Sequence, residues 1–166
     1  MSQGPTPEQL NELWQALLHV QRLALDPQLP EHPQVLDDAL AAAYELDETY
    51  AVVGIVSYAG GRFAALQELA RTSPFGEATI TLPRQVLLDA RPAGASAPLF
   101  DECLDLVEAE VNGDDINASV AKLVSSGGLE AFKLLALICA VLGTMVVERD
   151  PSLRSMDQLL ARETAG

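Results

Sequence analysis

With 166 residues, 49% hydrophobic and 20% charged, the chain can bury a core without disulfide or metal staples and is too apolar for intrinsic disorder. A net charge of −14 disfavours contact with a phosphate backbone, which is neutralised by Lys and Arg. Two cysteines supply neither a disulfide framework nor a zinc or CxxC pattern, and only 5% of residues are aromatic, so the core must be aliphatic.

The first residues carry no basic region and no apolar run. No secretory leader is expected, and a cytoplasmic location is. Thr6, Pro7 and Gln9 predict a helix start with a capping box. Leu10, Leu13, Trp14, Leu17, Ala24 and Leu25 then fall on one face, opposite Glu12, Gln15 and His19. Asp26 and Pro27 end this helix, and Pro30 and Pro33 keep the next stretch extended. A second helix is predicted over 34–48, with Leu36, Ala39, Leu40, Ala43 and Leu46 inward. Residues 50–58 read as a buried strand or as a continuing helix, because Val52, Val53, Ile55 and Val56 suit both. Gly60 and Gly61 are expected to break the pattern before a short helix over 62–71.

Thr79 and Thr81 alternating with Ile80 and Leu82 predict a strand over 77–82, followed by a short helix or second strand over 85–90. Residues 92–98 form a loop by composition and a candidate subdomain break. Four helices follow. The first covers 99–111 and ends at Asn112 and Gly113. Asp114 or Asp115 caps the second, which buries Ile116, Val120 and Leu123. The third covers 129–149, and Asp150 with Pro151 opens the fourth. The predicted fold is therefore mainly α: a single-domain bundle of about seven helices, with a small β element near 50–58 and 77–90.

The run from Leu134 to Val147 is apolar all round but shorter than a membrane span of about 20 residues, so a buried central helix is expected. Ala136, Ala140 and Gly143 give it one small face that lets another helix of the chain approach. Cys139 lies in this helix, and Cys103 lies on the stripe of Phe100, Leu104, Val107 and Val111. Asp101, Glu102 and Asp105 beside Cys103 disfavour a thiolate, so both cysteines read as small core hydrophobes. His19 and His32 read as solvated.

The charge is unevenly distributed. Between Leu23 and Gly61 stand Asp26, Glu31, Asp37, Asp38, Glu45, Asp47 and Glu48 with no base. Between Pro92 and Ala121 stand Asp101, Glu102, Asp105, Glu108, Glu110, Asp114 and Asp115, again with no base. Helical spacing puts Asp38 and Glu45 on one exposed face and Asp101, Asp105 and Glu108 on another. These five residues are the expected contacts for a basic protein partner. The expected function is a non-enzymatic interaction module, an adaptor, regulator or inhibitor, that binds such a partner or itself. No cofactor, metal, membrane or direct nucleic-acid contact is expected.

Two alternatives rest on resemblance. Glu45 with Glu48 and Glu102 with Asp105 resemble the carboxylate pairs of all-α nucleotide pyrophosphatases, which implies a magnesium-dependent hydrolase using those four residues. Residues 78–83, with Val86 and Leu87, resemble the strand-to-helix transition of ribbon-helix-helix repressors. That likeness covers about one-tenth of the chain and implies Thr79 and Thr81 at DNA base edges, with Arg84 as the nearby base. No GxGxxG, Walker, GxSxG, EF-hand or Glu-x-x-His pattern is present.

Overall fold

A computed structural model describes residues 5–24, 33–72 and 84–164. Among them are eight α-helices and no strand. Helix α1 (Pro7–Ala24) starts with the reciprocal capping box: the Thr6 N–H donates to Gln9 Oε1 at 2.8 Å, and the Gln9 N–H donates to Thr6 Oγ1 at 3.2 Å. It buries Leu13, Leu17 and Val20. Trp14, expected inward, is 40% exposed, and Gln21 is buried in its place on the inner face.

Helix α2 (Pro33–Leu46) buries Leu40, Ala43 and Tyr44, while Leu46 turns outward. Asp47 then interrupts the chain. Its extended backbone and its carboxylate, which accepts the Tyr50 N–H at 2.9 Å, cap helix α3 (Glu48–Arg71). The β element expected at 50–58 is thus helix. Val52, Ile55, Val56, Ala59, Phe63 and Leu66 are all buried because α3 runs between α1 and α2 and the helices that follow. Burial from several sides removes the polar face that would have revealed the helical period.

Gly60 and Gly61 do not break α3. Two of its glycines, Gly54 and Gly60, serve packing instead. A Cβ on Gly54 would lie 2.5 Å from Leu17 Cδ1 and 2.7 Å from Trp14 Cζ3, and one on Gly60 would lie 3.0 Å from Glu110 Cγ. Close approach of neighbours offsets the helix propensity lost at these two positions.

The strand expected at 77–82 lies outside the described residues. Residues 84–89, the other part of that expectation, form the short helix α4 (Arg84–Asp89), anchored by Leu87. Ser96 caps helix α5 (Ala97–Val111), which begins two residues before the predicted start. Gly113, at φ +78°, turns the chain, and Asp115 accepts the Asn117 N–H at 3.0 Å to open helix α6 (Asn117–Ser126). Helix α7 (Gly128–Arg149) follows through Gly128, at φ +54°. Helix α8 (Met156–Thr164) starts later than expected. Asp150 accepts from Ser152 in the intervening turn, and Ser155 caps α8 by accepting the Gln158 N–H.

Helix α7 is the axis of the bundle. Its 22 residues, which include an 18-residue stretch with a mean hydropathy of 2.0, are long and apolar enough to cross a membrane, yet α1, α2, α3, α5, α6 and α8 all pack against it. Its most extensive partner is α3. The small face does receive a neighbour from within the chain. A Cβ on Gly143 would lie 3.0 Å from Nη1 of Arg62, so the absence of a side chain admits a guanidinium to the helix–helix seam.

Candidate functional site

The acidic residues occupy the outside of the bundle. Asp38 and Glu45 are exposed on α2, where the Gln34 side-chain amide donates to Asp38 at 2.8 Å. Asp101 and Asp105 are exposed on α5, and Glu108 is half-buried. Arg84 bridges two of these: Nη2 meets Asp105 at 2.6 Å and Nε meets Glu108 at 2.8 Å. The five residues therefore divide. Asp38, Glu45 and Asp101 meet no cation among the described residues, whereas Asp105 and Glu108 already have one.

The two carboxylate pairs do not assemble into a metal centre. Asp47 separates Glu45 and Glu48 onto different helices, so the pair lacks the i, i+3 geometry of a single helix. Glu102 and Asp105 line a groove of about 300 Å³ with Lys122, without the other two. Among the described residues no three His, Cys, Asp or Glu side chains converge on one point. Of the ribbon-helix-helix resemblance, Thr79 and Thr81 lie outside the described residues, and Val86 and Leu87 belong to α4.

Both cysteines are buried, as their stripes predict. Burial, with Glu102 nearby, raises the Cys103 thiol to about 12. Burial raises Cys139 to about 11 although Arg62 pulls it down. His19 stays on the exposed face of α1, and His32 lies outside the described residues.

The group that sequence reasoning missed is Arg62, only 1% exposed. Its Nε–H donates to Glu163 Oε2 and its Nη2 to Glu163 Oε1, both at 2.8 Å, forming a two-point pair between α3 and α8. Nη1 donates to the Cys139 carbonyl at 2.8 Å and to its Sγ at 3.1 Å, on α7. Nη2 also donates to Gln21 Oε1 on α1. All five guanidinium N–H groups thus have acceptors. The Gln21 Nε2 beside them is buried and finds no close hydrogen-bond acceptor among the described residues. A signal existed: Arg62 is the sole base between Leu23 and Arg71, and it falls on the buried helical face of Ile55, Ala59 and Leu66.

Beside this network opens a cleft of about 910 Å³ between α1, α3 and α8. Trp14 forms one wall, resting where Gly54 leaves the α3 backbone bare. Ser57, Gly61 and Ala65 form the floor. Leu159 and Arg162 form the opposite wall, which the Arg62–Glu163 pair holds in place. Arg162 pairs through Nη1 with Asp150 at 2.8 Å, and hydrogen bonds from Ser152 and then Arg162 lower the Asp150 carboxyl to about 2. Tyr58, under the Arg62 guanidinium, has its phenol pKa raised by burial and by Glu163, so it remains a neutral donor. Gly61 is the unusual member. A Cβ there would meet nothing within 4 Å. It sits inside a 24-residue helix, where glycine costs about 0.5–1 kcal/mol relative to alanine, and no neighbour among the described residues explains it.

No known protein family, curated protein or solved structure matches the chain significantly.

The burial of both thiols has a direct consequence. In the native protein Cys103 and Cys139 are expected to react with a thiol reagent at least about 100-fold more slowly than an exposed cysteine, and to react promptly in denaturant. Rapid modification of Cys103 without denaturant would contradict their placement in the core.

Proposed function

We propose that this chain is a non-enzymatic helical binding module whose recognition site is the cleft between α1, α3 and α8. The observation that carries this reading is Gly61, whose missing side chain leaves the cleft floor open at a cost in helix stability that no contact among the described residues offsets. The cleft volume falls within the range of ligand sites, about 300–1,000 Å³, and its lining combines an aromatic wall with a few polar groups. Among the described residues lining it, the one carboxylate, Glu163, is held by Arg62 rather than poised beside a nucleophile.

Trp14 is the single tryptophan of the chain and forms a wall of the cleft, so its emission reports occupancy. Gly61→Ala is expected to raise the unfolding free energy by about 0.5–1 kcal/mol in urea titration. Gly61→Phe is expected to remain folded and fill the cleft. The neutral apolar fluorophore phenylnaphthylamine should accept energy from Trp14 in the native chain and lose that transfer in Gly61→Phe. Uptake that Gly61→Phe leaves unchanged would overturn the cleft as the recognition site.

A second reading, that the acidic faces meet a basic protein partner, is favoured by one observation: Asp38, Glu45 and Asp101 are exposed without a cation among the described residues. Such charges act on association rate more than on final affinity. Replacing the three by their amides is expected to slow association with a lysine-rich peptide at low salt and to flatten the salt dependence. Asp105→Asn should do less, because Arg84 already neutralises that residue. An unchanged rate in the triple variant would assign these charges to solubility alone.

A further inference from the structure

Resting on the cleft as a recognition site, we infer that its ligand is a small amphipathic anion: a carboxylate, or a group of like charge, on a planar or short apolar body. The polar groups of the cleft point to this chemistry. Its hydrogen-bond acceptors are largely engaged, since both oxygens of Glu163 already accept from Arg62. Its donors are not. Arg162 is 46% exposed, and its pair with Asp150 uses Nη1, so Nε and Nη2 remain for a ligand among the described residues. Ser57, exposed on α3, lines the cleft beside it, whereas the Tyr58 hydroxyl is engaged with the buried Gln21 side chain. A donor-rich rim selects an acceptor, and a guanidinium selects an anionic one.

The local charge agrees. The lining residues contain two arginines and one glutamate, and Asp150, outside the lining, shares Arg162. Counted with Asp150 the site is neutral, in a chain whose net charge is −14. The acidic residues left without cations on α2 and α5 do not line it. The cleft is thus a place where this acidic surface admits an anion. Trp14 on the wall and Ala65 on the floor provide the apolar surface for the body of the ligand, and the bare backbone at Gly61 lets a flat body lie against α3. The charged head then sits at the α8 side, by Arg162, with the apolar body toward Trp14.

Two fluorophores of matched shape test this in the full chain. Anilinonaphthalene sulfonate carries one anionic group on planar rings, and phenylnaphthylamine is its uncharged counterpart. Each is titrated while energy transfer from Trp14 is followed. The sulfonate is expected to bind about tenfold or more tightly than the neutral probe, because a charge-assisted hydrogen bond adds that margin. Arg162→Gln should remove most of the difference, and Arg162→Lys should restore part of it. Gly61→Phe should abolish binding of both probes. Equal affinity for the two probes, both blocked by Gly61→Phe, would overturn the anionic head while leaving the cleft as a binding site. So would a preference for the sulfonate that survives in Arg162→Gln. Binding of both probes that Gly61→Phe leaves intact would overturn the cleft reading itself, and the ligand class with it. The comparison of the two probes on the unmodified chain stands even if a variant fails to fold.

Discussion

A guanidinium sealed from water organises this bundle. Desolvating Arg62 is unfavourable, and the structure offsets that cost with acceptors from three other helices: Gln21 on α1, Cys139 on α7 and Glu163 on α8. The demands of that group explain several residues otherwise without reason. Gly143 lacks a side chain because the guanidinium occupies the space. Gln21 is polar on an otherwise apolar face because Arg62 needs its carbonyl oxygen. Removing one partner of such a pair leaves a buried charge without compensation, typically at a cost of about 3–5 kcal/mol. The network therefore fixes which helices meet more than it adds to net stability.

The same network shapes the cleft. Helix α8 has nine residues, fewer than the roughly 12–15 at which an isolated helix becomes even marginally stable in water, so its position depends on tertiary contacts. Leu159 and Leu160 bury its apolar side, and Glu163 attaches it to Arg62. The wall opposite Trp14 is thus held by an ion pair whose other member belongs to the core. The cleft and the core share residues here: Arg62 and Glu163 border the cleft, yet their hydrogen bonds are directed at each other and at the interior. Under the proposed function, the groups left for a ligand are Ser57 and Arg162. The acidic residues of α2 and α5 lie elsewhere on the surface, so the chain combines an acidic exterior with a cleft where charge is balanced.

Much of the helical plan was legible because it depends on local chemistry. The Thr6–Gln9 box, the Gly113 turn and the apolar stripes of α1, α5 and α7 each act within a few residues, and both cysteines lie where those stripes put them. The 50–58 segment was ambiguous for a physical reason: a helix packed on several sides has no polar face to mark its period. Gly60 and Gly61 read as breakers because propensity is local, whereas the close approach of Glu110 to Gly60 is not. The site was the least legible part. Arg62 and Glu163 are 101 positions apart, and no spacing rule joins them. What could be seen was a lone base on a buried face and one polar residue, Gln21, on an apolar stripe. Each alone suggests a surface residue out of register; together they mark a buried pair.

The central claim, that Arg62 holds α8 onto the bundle through Glu163, is tested most directly by native-state amide hydrogen exchange in Glu163→Gln. The neutral amide keeps the size of the side chain but removes the charge. The account predicts faster exchange across α8, residues Met156–Thr164, with the protected centres of α3 and α7 retaining their order of stability. Protection of α8 equal to that of the unaltered chain would contradict it.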